Sequence, residues 1–355
     1  MNLKDNILIE DLQYIASSDV EFNQFKDKTI LITGATGLIG SLLVKSLLYS
    51  SYVNKLNTKV IALVRNEEKA KGIFSDFIQY GDLEFYIFDL EKDVEINISE
   101  NIDYIIHAAS ITTSKVMVEN PVGTIKTAIQ GTTSILDFAV DKNVKSMVYV
   151  SSMEVYGVVN KEGKVKEDEL GYVNLQSARS SYPEGKRMCE CICNAYFNQY
   201  GLNVSSARLA QTFGPGILPG ENRVFAQFAK SVINEKDIVL HTLGKSEGNY
   251  VYTRDAIRAL LMMLYKGKGG EAYNIVNEES HTTIADMAKM VAEKAADNKI
   301  KVIFDIPEDL NKLGYAPDTK LFLDGTKIRE LGWEPEVGLL ESYKRLIMFM
   351  KQGEY

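Results

Sequence analysis

Cysteine is nearly absent: the 355 residues contain three, at 189, 191 and 193. An odd number packed into five positions excludes a disulfide framework. In a helix Cys189 and Cys193 share a face and Cys191 points elsewhere. The expected role is that of buried structural thiols in a reducing cytoplasm. No further Cys or His stands near them at metal-ligand spacing, so no metal site is expected. An excess of basic residues is also lacking. Forty Lys and Arg face 48 Asp and Glu, a formal charge of −8, which argues against a nucleic-acid footprint. Phosphorylated ligands stay open, because bare amides at a helix start bind phosphate without basic side chains. Long apolar runs are missing as well, and no segment approaches the length that spans a membrane. The first 25 residues carry Lys4, Asp5, Glu10, Asp11, Asp19 and Glu21. They have neither the basic start nor the apolar core of a signal peptide. Internal repeats and low-complexity tracts are absent too.

What is present is an ordinary globular composition, 45% apolar and 25% charged, long enough for about two packed units. Leu8, Leu12 and Ile15 fall at helical spacing, which predicts an amphipathic helical extension over 1–25 that packs onto the next domain or a partner subunit. After it the pattern alternates. Strands are predicted at Thr29–Thr33, Lys59–Val64, 84–88, 104–108, 147–151, Val204–Leu209 and 272–276, and helices at 38–49, 121–140, 184–200 and 254–265. Alternation of this kind implies a parallel sheet covered on both faces. Beyond Phe213 the turn formers Gly214, Pro215, Gly216, Pro219 and Gly220 open a different stretch. It mixes short elements with Pro307, Pro317 and Pro335. The fold class expected is α/β: a Rossmann doubly wound parallel sheet with a smaller mixed α/β C-terminal lobe. Ligands in such sheets bind outside the carboxyl ends of the strands.

The most informative early segment is Ile30-Leu31-Ile32-Thr33-Gly34-Ala35-Thr36-Gly37-Leu38-Ile39-Gly40. A strand runs into glycines at 34, 37 and 40, and a helix follows. The chain must turn tightly, expose backbone to a pyrophosphate and pack the new helix close to the sheet. Gly34, Thr36, Gly37, Leu38, Ile39 and Gly40 are therefore candidate dinucleotide contacts. At the end of the second strand, where an acid usually binds the adenosine ribose, Arg65 stands instead. An arginine there suits a 2′-phosphate, which favours NADP over NAD. Asp89 and Leu90 at the third strand are candidates for the adenine edge. Ala108, Ala109 and Ser110 after the fourth are small enough for the cofactor's middle to pass, while His107 reads as structural. The expected division is the extension over 1–25, a dinucleotide unit over 26–212 with about 249–277, and a substrate lobe over 213–248 and 278–355.

Tyr182 and Lys186 stand four residues apart at a helix start and face one side. A nearby ammonium lowers a phenol's pKa and readies it for proton exchange. Ser151-Ser152-Met153-Glu154-Val155-Tyr156-Gly157 closes the fifth strand at the same sheet edge as the glycine turn. Its hydroxyl can polarise a sugar oxygen.

In order along the chain, the turn over 33–40, Asp89-Leu90, residues 107–110, Asn120-Pro121, Ser152, Tyr156-Gly157, Tyr182 with Lys186, and Arg208 with Gly214-Pro215 resemble the extended short-chain dehydrogenase/reductase family. Within that family they are similar to its NAD-dependent nucleotide-sugar epimerases, dehydratases and decarboxylases. The resemblance covers roughly 28–350. It implies NAD or NADP, a hydride taken from the sugar at C4 and often returned, and a nucleotide-diphosphate sugar as substrate. Ser152 and Tyr182 assist that step, and Lys186 lowers the Tyr182 pKa and binds the nicotinamide ribose. It also implies a homodimer joined through the helices over 121–140 and 184–200.

Sugar 4,6-dehydratases of the family carry an Asp-Glu pair where Met153-Glu154 stands, and a thioether cannot donate the proton that elimination needs. UDP-glucuronate decarboxylases look closer, through Glu154-Val155-Tyr156-Gly157, Tyr182-Pro183-Glu184-Gly185-Lys186-Arg187 and Asn222-Arg223-Val224. There Glu154 orients the sugar or manages the C5 proton, and Ser152, Met153, Glu154, Gln211 and Arg223 are the candidate substrate contacts. Gln211 replaces a usual Asn, Gln130 another, and Gly248 a usual phosphate-gripping Arg. Arg223, Lys245 or Arg254 could supply that cation. The readings left open are a decarboxylase or epimerase first, then an NADPH-dependent reductase of a small carbonyl, a dehydratase with an atypical acid, and a non-catalytic dinucleotide sensor.

Overall fold

The computed structural model describes residues 6–93, 95–307 and 319–353. Pro317 and residues 1–5 of the expected extension lie outside the described residues. Twelve strands occur in chain order among those described. They are β1 (Thr29–Thr33), β2 (Lys59–Val64), β3 (Asp82–Ile87), β4 (Tyr104–His107), β5 (Ser146–Ser152) and β6 (Val204–Leu209), followed by β7 (Gln211–Phe213), β8 (Ile238–Leu240), β9 (Glu247–Tyr252), β10 (Ala272–Ile275), β11 (Asn277–Thr283) and β12 (Val302–Phe304). The helices are α1 (Asn6–Ala16), α2 (Leu38–Asn54), α3 (Glu67–Phe74), α4 (Ser114–Glu119), α5 (Pro121–Asp141) and α6 (Ser181–Tyr200), then α7 (Val224–Ile233), α8 (Thr253–Lys266), α9 (Ile284–Met290), α10 (Thr326–Arg329) and α11 (Leu339–Gln352).

Seven strands form one sheet in the order β10-β6-β5-β4-β1-β2-β3. Every pair in it is parallel. Successive residues on its central strands enter opposite cores, as the pleat requires. Ile30, Ile32, Val60, Ala62, Ile106 and Val148 join one cluster. Leu31, Ile61, Leu63, Ile105, Met147 and Tyr149 join the other. Burial on both faces explains why these strands read as unbroken Val/Ile/Leu runs rather than alternating ones. The strand order reverses between β1 and β4, and the crevice at such a switch point is where this architecture binds ligands.

The helix ends follow local chemistry. Asn120 accepts a hydrogen bond from the Gly123 amide at 3.1 Å, and Pro121 fills the first helical position of α5. Helix α6 closes at Gly201 with φ 70°. It also begins earlier than the spacing predicts, so Tyr182 and Pro183 sit inside its first turn. A proline is tolerated there because that turn's amides lack intrahelical acceptors in any case.

The N-terminal extension is broken rather than continuous: α1 ends at Ala16, and a short 3₁₀ turn follows at Phe22–Phe25. Leu8, Leu12 and Ile15 are buried as predicted. The helix packs onto α2, α8 and α11. The smaller sheets lie beyond β6. Strand β9 pairs in parallel with β7 and antiparallel with β11, and β12 pairs with β8. Residues 249–252 therefore belong to this small sheet. No helix among the described residues is long and apolar enough to cross a membrane.

Candidate active site

The glycine turn leaves β1 at the switch point. Gly34 has φ +63°, and a Cβ there would lie 2.7 Å from the Ala109 backbone. A Cβ on Gly40 would lie 2.2 Å from the Gly34 carbonyl oxygen. Only glycine fits either place, so the ends of β1 and β4 can close on each other. Gly37 is the N-cap of α2 and provides no side chain to cap it. The first-turn amides of Leu38, Ile39 and Gly40 thus remain free for a phosphate, with Thr36 half-buried beside them. This bare cradle fits a dinucleotide pyrophosphate.

Beneath the turn runs a buried hydrogen-bond chain. The Ala109 amide donates to Thr33 Oγ1 at 3.1 Å. The Thr33 hydroxyl is then left to donate to His107 Nδ1, 2.6 Å away. That places the ring proton on Nε2, facing Thr132 Oγ1 at 3.2 Å. Thr132 donates to Cys189 Sγ at 3.3 Å, and Cys189 to the Ala128 carbonyl at 3.2 Å. Burial, with the Lys186 charge nearby, pushes the His107 pKa down to about 3. His107 is the structural residue the sequence suggested. Cys189 and Cys193 are buried on one face of α6; Cys191 is exposed, against the expectation of three buried thiols.

Around the cradle, Ala108, Ala109 and Ser110 are half-buried just past β4. Arg65 lies exposed past the end of β2. Strand β3 stops at Ile87, so Asp89 lies in the following loop rather than closing the strand. Its carboxylate accepts from the Glu91 amide at 3.1 Å and stands 3.5 Å from Lys92. Leu90 is buried against Gly131 of α5.

The second half of the site comes from the end of β5 and the start of α6. Ser152 Oγ accepts from the Glu154 amide at 3.2 Å and so caps the 3₁₀ turn Met153–Tyr156. That turn holds Glu154 at the cleft, while Met153 packs on the core. Tyr182 is half-buried, and burial with the Glu154 charge pushes its pKa up to about 12. A hydrogen bond with Ser152 and the charges of Arg179 and Arg223 oppose that rise. The structure thus brings Ser152, Glu154, Tyr182 and Arg223 into one electrostatic neighbourhood.

Lys186 lies buried beside the Tyr182 phenol. Its ammonium donates to the Val150 carbonyl at 2.7 Å. It stands 4.7 Å over the Tyr149 ring and 5.8 Å from the centre of the Tyr182 ring. Burial lowers its own pKa to about 8. Its charge lies beside the phenol, while burial and the Glu154 charge dominate and leave the Tyr182 pKa raised.

Of the cations suggested to replace the arginine at 248, Arg254 is excluded. It is largely buried, 3.9 Å over the Tyr14 ring, and ion-paired with Asp11 at 3.5 Å and Glu336 at 3.6 Å. Lys245 is exposed. Arg223 pairs with Glu221 at 2.7 Å and stacks over Phe225. At Gly248 itself a Cβ would meet nothing nearer than the Leu321 carbonyl oxygen at 3.9 Å, so the position is open. Gln211 is half-buried at the start of β7.

Sequence reasoning missed Arg179. Its Nη2 donates to both oxygens of Glu154, at 2.7 and 2.8 Å, and its guanidinium carbon lies 5.5 Å from the centre of the Tyr182 ring. The available signal was its position three residues before Tyr182, on the approach to a helix whose first turn carries the site.

A glycine turn at a sheet switch point, with Ser152, Tyr182 and Lys186 across the same edge, places the chain in the Rossmann class of dinucleotide-binding folds. The particular family follows: residues 30–276 match the NAD dependent epimerase/dehydratase family, and the chain belongs to it. This is the extended short-chain dehydrogenase/reductase group of nucleotide-sugar-modifying enzymes. UDP-glucuronic acid decarboxylase 6 of Arabidopsis thaliana is 30% identical over 317 residues, covering 88% of this chain and 85% of the relative. The dTDP-D-glucose 4,6-dehydratase of Bos taurus is 25% identical, covering 92% and 89%. Among solved structures, UDP-glucose 4-epimerase from Thermotoga maritima with UDP-glucose superposes with a TM-score of 0.75 at 24% identity, covering 91% and 99%. That likeness shows the fold.

Proposed function

We propose that this protein transiently oxidises C4 of a nucleotide-diphosphate sugar, with UDP-glucuronate as substrate and decarboxylation or C4 epimerisation as outcome. The observation that carries the reading is the convergence of Ser152, Glu154 and Tyr182 at the sheet edge that also bears the glycine cradle. Bound NAD or NADP would accept the C4 hydride and return it later. Lys186, already beside Tyr182 in the cleft, is assigned to the cofactor's ribose, and Arg65 to a 2′-phosphate. Ser152 hydrogen-bonds the C4 oxygen, and Tyr182, as the phenolate that the Lys186 charge 5.8 Å from its ring centre favours, takes the C4 hydroxyl proton. In the uronate case the resulting β-keto acid loses its carboxylate as carbon dioxide. The enolate left behind takes a proton at C5, which Glu154 is placed to manage, and Tyr182 gives its proton back to the C4 oxygen. Dehydration fits less well, because Met153 has no proton to donate to a leaving hydroxyl.

We assign Arg223, at the N-cap of α7, to the substrate as a contact from a lobe beyond β6. A homodimer through α5 and α6 is supported by the exposure of Val122, Ile125 and Met188 on those helices. The deciding experiment is mass spectrometry of products from UDP-, dTDP-, GDP- and CDP-sugars, UDP-glucuronate included, with NAD or NADP supplied. Loss of carbon dioxide from UDP-glucuronate establishes the decarboxylase, and an isomer of unchanged mass the epimerase. Loss of water, or stoichiometric consumption of NADPH, overturns the proposal.

A further inference from the structure

We propose that Arg179 is a specificity-determining residue that grips an anionic group on C5 of the sugar, a carboxylate, in competition with Glu154. The inference rests on the reading that Tyr182 works at C4 and names the residue that selects the substrate.

The pairing of Arg179 with Glu154 uses the guanidinium unevenly. One nitrogen, Nη2, serves both carboxylate oxygens. An arginine that binds a carboxylate at full strength uses two parallel N–H donors, one from each nitrogen. Here Nη1 is closed off from solvent and has no hydrogen-bond partner. A buried guanidinium nitrogen without an acceptor is costly, and native structures rarely keep one without a use for it. Arg179 therefore has a donor in reserve, which a planar anion satisfies once the half-buried guanidinium turns from Glu154 toward it.

The position of that donor selects which anion. Arg179 leans on the ring of Tyr182, and its charge reaches the Tyr182 phenol. The group it grips thus sits at the reacting end of the sugar and not at the distant diphosphate. A substituent carbon on C5 is two bonds from C4, which places a C5 carboxylate beside both Tyr182 and Arg179. A neutral hydroxymethyl there offers one weak acceptor and no charge. Gly248 supplies no side chain, so Arg179 carries alone a task that the arginine usual at 248 would share. Engagement of the substrate carboxylate also frees Glu154, whose two oxygens are otherwise both occupied.

The test measures binding of UDP-glucuronate, UDP-glucose and UDP by calorimetry to the protein loaded with NADH or NADPH, in which the reduced cofactor blocks turnover. Arg179→Gln is expected to weaken UDP-glucuronate by about 10- to 100-fold while UDP-glucose and UDP change by less than about twofold. Arg179→Lys restores part of the loss. Glu154→Gln removes the competing charge, so it tightens UDP-glucuronate by a few-fold and leaves UDP-glucose unchanged, even as turnover falls. Equal weakening of all three ligands in Arg179→Gln makes the residue structural or a diphosphate contact and overturns the assignment. So does unaltered or weaker UDP-glucuronate binding in Glu154→Gln. If the unmutated protein decarboxylates or epimerises UDP-glucuronate while Arg179→Gln binds it as tightly, only the role of Arg179 falls. If the unmutated protein shows no preference for UDP-glucuronate over UDP-glucose and turns over neither, the reading of the site falls with it.

Discussion

Two clusters of arginine and carboxylate, one where α1, α8 and α11 meet and one at the cleft, are built to opposite ends. In the N-terminal clasp three arginines face five carboxylates. Arg254 meets Asp11, Asp255 and Glu336; Arg258 meets Asp19, Asp255 and Glu336; Arg345 meets Glu10 and Asp11. In the cleft Arg179 and Arg223 face Glu154 and Glu221, and buried Lys186 adds a further cation held by a carbonyl. The clasp is anion-rich and its central groups are sealed: Arg258 is 2% exposed and Asp255 fully buried. The cleft has a cation surplus and is half-open. A cluster whose charges are over-matched holds two parts of a chain together, whereas one with a cation in reserve holds a place for an anionic ligand. Residue type does not tell the two apart; the ratio of partners does.

The comparison can be broken from either side. The largest effect is expected from Tyr182→Phe, which removes the proton-exchanging group. Turnover of the identified substrate should fall by on the order of 10³-fold or more, with cofactor binding and the melting temperature unchanged. In the clasp, Arg258→Ala takes from buried Asp255 the nearer of its two arginines, at 3.5 Å, and leaves it Arg254 at 3.9 Å. Urea denaturation should show a loss of about 3–5 kcal/mol, while kcat measured where the variant is folded stays as it was. A large drop in kcat there would erase the distinction between the clusters.

Lys186 tests the cleft's own charge balance. Its folded-state pKa of about 8 lies below the ordinary lysine value, so the unfolded chain binds more protons between about pH 8 and 10.4. Its contribution to stability therefore rises with pH across that window and is unfavourable below it. Lys186→Met should be more stable than the unmutated protein at pH 7 by roughly 1–3 kcal/mol, and urea melts at pH 7 and 10 should show the gap narrowing. The smallest effect is expected at exposed Arg65. Arg65→Ser should weaken NADP by about tenfold relative to NAD in a fluorescence titration; no change would separate Arg65 from the cradle.

The fold was almost wholly legible because its signals are local. Val/Ile/Leu runs buried on two faces, a glycine turn and helical periodicity each act within about ten residues, and the strands of the large sheet were placed to within two residues. The candidate site residues were legible as such for a related reason: Ser152 and Tyr182 lie at strand and helix ends, where sequence patterns change. Arg254 and Arg179 were misjudged because their roles depend on residues far away in the chain. Arg254 meets Asp11, more than 240 positions distant, and nothing in its neighbours announces that. Arg179 meets Glu154 across a 25-residue loop. The net pKa of Tyr182 was not legible for the same cause: a four-residue spacing puts Lys186 on the right face of α6, but burial and the Glu154 charge, brought in by the turn after β5, push the phenol up.

The ordered chain from Ala109 through Thr33, His107 and Thr132 to Cys189 has a consequence for proton traffic. An imidazole under a dinucleotide cleft is the natural rival to a phenol as an acid–base group near neutral pH. Here both ring nitrogens are engaged, and the pKa lies near 3. The floor of the cleft is a chemical insulator. On the proposed function, a hydrogen isotope from solvent that appears on a sugar carbon is expected to enter through the wall formed by Tyr182 and Glu154, and the face of that carbon it occupies reports the side from which it was delivered.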